Sequence, residues 1–177
     1  LVLTVNIGIS QEDNKEFKEI IWHVKAYRPD AQLLKVKAID ENGKLYDIKA
    51  IQNSDQTSLL DIKAFIGDKR LPVKMLVRGK GDKYLPVKAI GEDGTIYRIK
   101  AITEDGKELP VKGVSKSGNI VHIRAIYKDR VFYNVIAVSP DGLTNAVKGK
   151  KLSDDEVEAT VNGVQVFAHI KSIPQVK

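Results

Sequence analysis

The sequence contains no cysteine. That excludes disulfide staples, thiolate zinc sites and cysteine nucleophiles, while leaving the compartment open. No apolar run approaches the length a membrane-spanning helix needs, about eighteen residues. Aromatic residues make up only 6% of the chain, with one tryptophan. There is no Gly-x-Ser-x-Gly elbow and no Ser/His/Asp set with supporting context. The glycine-rich "RGKGDK" lacks the Lys-Ser/Thr pair and following helix of a phosphate loop, so it reads as a hairpin loop. The opening "LVLTVNIGIS" starts at Leu1 and has neither the basic start nor the cleavage pattern of a signal peptide. It reads as an early strand of a mature or trimmed chain.

What is present points to a soluble globular protein of 177 residues, 42% apolar and 29% charged, long enough to bury a core. A net charge of +6 is compatible with an anionic partner without demanding one. One short phrase governs the rest. A Val or Ile, then Lys or Arg, then a small residue recurs from Val24 through Val36, Ile48, Ile62, Val73, Val87, Ile99, Val111, Ile123, Val135 and Val147 to Ile170. Most spacings are 12 residues. Ile136 alone replaces the cation, and Met75 alone replaces the small residue. A large residue, such as Trp22, Leu34, Tyr46 or Tyr97, usually stands two positions earlier.

This is a period-two pattern. Tyr97, Ile99 and Ala101 point one way, and Arg98, Lys100 and Ile102 the other. Glycine punctuates the chain too often for helices, and Asn-Gly or Asp-Gly pairs separate the runs. The fold class is therefore all-β, an antiparallel meander of roughly 12-residue strand-turn repeats. A three-residue loop with glycine in the left-handed region keeps one face apolar. It sets Ala101 opposite Leu109, Ile99 opposite Val111, Lys100 opposite Pro110, Ala38 opposite Tyr46 and Lys37 opposite Asp47. It likewise sets Ala89 opposite Tyr97 and Lys88 opposite Arg98, and the same register reading puts Lys112 opposite His122.

One open barrel of a dozen strands would have a lumen too wide for Ala and Val to fill, so a two-sheet sandwich or a flattened barrel is expected. The alternative is a β-solenoid, which would stack the lysines as neighbours. Pro72, Pro86 and Pro110 each precede the phrase Val and imply breaks or bends there. A single domain spans 1–177, with an N-terminal strand and polar turn in 1–21, repeats in 22–150, and an acidic insert plus C-terminal hairpin in 151–177. "SQEDNKEF" reads as a polar turn or short helix capped by Ser10, and "SDDEVE" as an acidic loop able to open a turn with Ser153 capping and Glu156 returning the bond.

The candidate sites follow from the polar face. Lys88, Arg98, Lys100, Lys112 and Arg124 form a cationic surface suited to an anionic polymer such as a polysaccharide. Tyr46, Tyr97 and Trp22 lie on the other face, which argues against nucleic acid. His23, His122 and His169 share the polar face, but without ligand-spaced companions they imply no metal. No cofactor or catalytic residue is indicated. "VFYNVIAV" is apolar on both faces at Ile136 and Val138, which marks either a partner patch or a strand covered by the C-terminal "VQVFAHIKSI".

The "VKAI…DG…YxIKAI" phrase, "NVIAVSPDG" and the closing "NGVQVFAHIKSIPQ" resemble a group of uncharacterised bacterial secreted or envelope proteins, over residues 22–175. The resemblance implies export to the periplasm, the cell surface or the medium, and no assigned activity. The expected function is a non-enzymatic structural, adhesive or binding module. Anionic-polymer binding through the lysine face is the alternative, and a glycoside hydrolase with carboxylates joined by the fold is the second one.

Overall fold

The computed structural model describes residues 16–128 and 131–174. The strand expected over residues 1–10 and the turn capped by Ser10 lie outside them. The first strands are β1 (Ile20–Tyr27), β2 (Leu33–Ile39), β3 (Leu45–Gln52), β4 (Leu60–Ile66), β5 (Lys69–Leu76) and β6 (Leu85–Ile90). They are followed by β7 (Ile96–Ile102), β8 (Glu108–Ser117), β9 (Ile120–Tyr127), β10 (Val131–Val138) and β11 (Thr144–Lys150). A short β12 (Ala159–Val161) and a long β13 (Val164–Ile173) end the order. Every pairing is antiparallel, and the described residues contain no helix.

The 13 strands form one sheet that closes on itself. It is neither two stacked sheets nor a regular barrel, and antiparallel pairing leaves no solenoid rungs. The ladders resolve into triplets of mutually paired strands: β1–β2–β3, β6–β7–β8, β9–β10–β11 and β4–β5–β13. Further ladders join every triplet to each of the others, through β1–β10, β2–β7, β3–β4, β5–β6, β8–β9 and β11–β13. The connectivity is that of a truncated tetrahedron, with triplets as corners and the joining ladders as edges.

A cyclic handover builds each corner. In the first, the end of β1 (Lys25–Tyr27) pairs with the start of β2, the end of β2 with the start of β3, and the end of β3 with the start of β1. Side-chain size follows the handover. Ala26 faces Leu34, Ala38 faces Tyr46, and Ala50 faces Trp22. In the β6–β7–β8 corner the pairs are Ala89 with Tyr97, Ala101 with Leu109, and Gly113 with Leu85. Met75, which breaks the small-residue rule, is met by Ala168. Small against large fills an even layer without overpacking.

The four-cornered closure explains how short side chains fill the interior of so many strands. Bending at the corners shrinks the lumen that an open barrel would have. Val24, Val36, Ile48, Ile62, Val87 and Ile99 are buried, and each contributes about 1.5–3 kcal/mol relative to exposure. Met75 is wholly buried and fills the space beside Gly113, where a Cβ would stand 2.6 Å from Met75 Cε.

The hairpin loops have the expected form. Gly43, Gly94, Gly106 and Gly142 adopt φ between 81° and 88°, a region that costs a side chain dearly. Their hairpins keep the expected registers at Lys37/Asp47, Ala38/Tyr46, Lys88/Arg98, Ala89/Tyr97, Lys100/Pro110 and Ala101/Leu109. Each hairpin ladder is short, however, so Ile99 and Val111 are not paired. Lys112 pairs with Arg124 rather than His122, because β8 and β9 are joined by only Gly118 and Asn119, which sets Ser117 opposite Ile120, and a bulge between Gly113 and Ser115 then moves the register by one residue. The prolines stand where strands change partner. Pro72, Pro86 and Pro110 each precede the first residue of a joining ladder, at Val73, Val87 and Val111. They mark corners rather than sheet edges, each closing its corner ladder as Lys63/Pro72, Pro86/Lys112 and Lys100/Pro110.

Candidate functional site

The joining ladders set cation against cation on the outer surface. Lys37 lies opposite Lys100, Lys49 opposite Lys63, Lys74 opposite Lys88, Lys112 opposite Arg124, and Lys148 opposite Lys171. In the remaining joining ladder Lys25 lies opposite Ile136, so the substitution removes one like-charge pair. The same side chains gather at the corners, where like charge and partial burial act together.

Corners differ in what answers that charge. At the first, Asp47 pairs with Lys37 and lies 3.7 Å from Lys49. At the β4–β5–β13 corner, Asp61 pairs with Lys171. At the β6–β7–β8 corner, Lys88, Lys100 and Lys112 stand beside Arg98, with Pro86 and Pro110 in the positions opposite Lys112 and Lys100. Among the described residues the only ion pair here is Arg98–Glu108, at 3.5 Å and half exposed. Burial, then Lys112, Lys100 and Arg98, pull the Lys88 amine below its ordinary value. Burial, then Lys112 and Arg98, do the same to Lys100. Burial leads both shifts, and the neighbouring cations add to it in the same direction.

Beside this corner lies a cavity of about 280 Å3, lined by Asp82, Lys83, Tyr84, Pro110, Lys112 and Ile126. Tyr84 meets Phe132 edge-on at 5.9 Å, and Phe132 is 37% exposed. An apolar, aromatic wall therefore adjoins the lysines. Sequence reasoning placed the aromatics on the other face by following Tyr46, Tyr97 and Trp22, and passed over Tyr84. The available signal was that Tyr84 immediately precedes inward Leu85, so it points outward.

The structure thus brings together four of the five expected cations. Arg124 belongs to the β9–β10–β11 corner, opposite Asn134 as well as Lys112, and it donates to the Ile123 carbonyl at 3.1 Å. Ile136 and Val138 lie half-buried between β1 and β11, opposite Lys25 and His23 on one side and Ala146 and Thr144 on the other. The C-terminal strand does not cover them, because β13 pairs with β11, β5, β4 and β12.

The histidines stay apart. His23 sits opposite Lys49, His122 is 3.0 Å from the Lys148 amine, and His169 is 2.7 Å from the Lys74 amine. Among the described residues no three His, Asp or Glu side chains cluster to hold a metal. "RGKGDK" is a turn closed by the Gly79 N–H on Asp82 at 3.1 Å. The acidic insert forms no helical turn: Ser153 donates through N–H and hydroxyl to Glu158, not Glu156. Glu158 is the anchor because its own N–H binds the Val166 carbonyl at 2.7 Å, folding the insert onto β13.

The acids are arranged for pairing and turn chemistry. Every carboxyl with a resolved shift, namely Asp40, Asp47, Asp61, Asp93, Asp105 and Glu158, is held below its ordinary value. Hydrogen bonds from the Lys44 and Thr95 backbones lead for Asp40 and Asp93, as does the Thr103 hydroxyl for Asp105.

Residues 18–173 match the model of a family of unknown function (DUF7486), and the chain belongs to that family. No curated protein and no solved structure matches it.

Proposed function

We propose that this member of a family of unknown function is a non-enzymatic module that binds an acidic polysaccharide across its β6–β7–β8 corner. The observation that carries the reading is the set of half-buried Lys88, Lys100 and Lys112 beside exposed Arg98, with Glu108 the single paired acid there among the described residues. Burial and then neighbouring cations lower the Lys88 and Lys100 pKa values, and an anion at this corner answers the like charge, so binding raises both. The wall of Tyr84, Pro110 and Ile126 suits a sugar ring beside the charged group, which favours a polysaccharide over a bare polyphosphate. Location outside the cell or in the bacterial envelope belongs to the same proposal, resting on the sequence resemblance and on where acidic glycans are met.

The test is retention on immobilised heparin against a salt gradient, with alginate titrated by calorimetry. Replacing Lys88, Lys100 and Lys112 together by Gln weakens binding by roughly tenfold or more while the protein stays folded. Tyr84→Ala weakens alginate but not polyphosphate. Retention unchanged by the triple replacement removes the proposal.

A structural or adhesive role is the second reading. It is favoured by the closure of the sheet, which among the described residues leaves β12 as the strand with a single partner and so a surface poor in edges for aggregation.

A further inference from the structure

The β4–β5–β13 corner holds an arrangement that glycan binding does not use. The Lys74 Nζ lies 2.7 Å from His169 Nδ1, and His169 Nε2 lies 3.9 Å from Glu158 Oε1. The Glu158 side chain is only 3% exposed. Its oxygens accept from the Leu152 N–H at 2.7 Å, the Ser153 N–H at 3.0 Å and the Ser153 hydroxyl at 3.1 Å. Those donors hold it as a carboxylate. A carboxylate facing Nε2 favours the tautomer protonated there, which leaves the Nδ1 lone pair aimed at the Lys74 amine.

Charge from every side presses the same amine. Lys63 comes from β4, Lys88 from β6, and Lys171 from β13, with Lys150 of β11 opposite His169. Asp61 is the nearby acid, and it is already paired with Lys171. Burial first, then Lys171 and Lys63, push Lys74 down to about 8, so a useful fraction is neutral at physiological pH. Burial, then Lys74, also lower His169, which keeps its imidazole free to accept a proton. Amine, imidazole and carboxylate in series are the parts of an activated nucleophile.

We propose that Lys74 is a covalent acceptor for small anionic aldehydes, with His169 taking the proton from its amine and Glu158 steadying the resulting imidazolium. The amine lone pair forms a C–N bond to the carbonyl carbon as the C=O π electrons move to oxygen. Loss of that oxygen as water, with the two amine hydrogens, leaves a C=N bond. No oxidant or reductant is consumed. The anionic preference comes from Lys63, Lys88 and Lys171. Lys88 is shared with the glycan corner, but Lys74, His169 and Glu158 lie outside it, so labelling at Lys74 and retention on heparin can fail separately.

Glyoxylate is the probe, trapped on the native chain with cyanoborohydride at pH 7.5 and mapped by peptide mass spectrometry. Lys74 acquires the adduct roughly tenfold or more faster than exposed Lys116, and glyoxylate outpaces neutral acetaldehyde there. His169→Gln slows Lys74 labelling and leaves Lys116 unaffected. If Lys74 labels no faster than Lys116 on the native chain, the proposal is overturned, whether or not the variant folds. If Lys74 is selective but His169→Gln leaves its rate unchanged, the relay is overturned. Equal rates for glyoxylate and acetaldehyde overturn the anionic preference.

Discussion

The β1–β2–β3 and β6–β7–β8 corners share one construction and differ in what stands opposite the lysines. Each hands its strands around a cycle, sets small residues against large ones inside, and turns three phrase lysines outward. In the first corner the position before Ile48 is Asp47, which pairs with Lys37. In the second the equivalent position before Val111 is Pro110, which cannot pair with Lys100. The same scaffold therefore yields one corner whose acid pairs with two phrase lysines and one whose acid pairs with Arg98 instead, although Lys25 of the first is itself held below its ordinary value by burial and then by Lys37 and Lys35. The difference lies in side chains that the core does not require, which is where a binding function can vary without cost to the fold.

The comparison breaks most severely from the inside. The first corner has Ala26, Ala38 and Ala50 at its small positions, whereas the second needs Gly113, beside Met75. Gly113→Ala costs about 1–3 kcal/mol in urea unfolding, and Met75→Ala in that background recovers part of it. Ala50→Gly in the first corner costs only about 0.5–1 kcal/mol.

Exchanging the outer residues sharpens it. Pro110→Asp supplies the second corner with the acid of the first, and lowers alginate affinity by about tenfold. Asp47→Asn frees the first corner to retain heparin, at about 0.2–1 kcal/mol of stability for an exposed pair. The Lys37 hydrogen bond is the chief reason that Asp47 sits below its ordinary pKa. Its contribution is present above the unfolded carboxyl pKa and is lost as pH falls through the lower folded value. Wild-type and variant melting temperatures therefore converge in acid.

The smallest effect is on pH dependence. Lys88 and Lys100 have folded pKa values below their unfolded ones, so between the two the unfolded chain binds more protons and stability rises with pH. Lys88→Gln raises the melting temperature at pH 7 by a degree or so, on the order of a few tenths of a kcal/mol. The gain disappears by about pH 10.5.

Much of this was legible where the physics is local. The alternation of Tyr97, Ile99 and Ala101 with Arg98 and Lys100 encodes the buried face, and Asp105-Gly106 encodes the register of its hairpin. Partner exchange was not legible, because it depends on ladders such as β1–β10, β2–β7 and β4–β13 between segments distant in sequence. Lys171 meets Asp61, 110 residues away. That is why the pattern pointed to a sandwich or a flattened barrel without its corners, whereas the Lys112/His122 expectation failed locally, on the length of the β8–β9 turn. Lys88, Arg98, Lys100 and Lys112 could be named together because Lys88/Arg98 and Lys100/Pro110 pair within hairpins. The acid of the first corner was visible in the Lys37/Asp47 pairing. The Lys74–His169 contact joins residues 95 apart and left no trace in local pattern.

Three corners are made of consecutive strands, but the β4–β5–β13 corner waits for the last one. A chain synthesised from its N-terminus holds β4, β5 and β11 with open edges until Val164–Ile173 has emerged. Closure is then a single late docking event between segments roughly a hundred residues apart, the sort of non-local step that makes β proteins slow to fold. The C-terminal strand is the clasp of the box, and its loss would expose three edges at once.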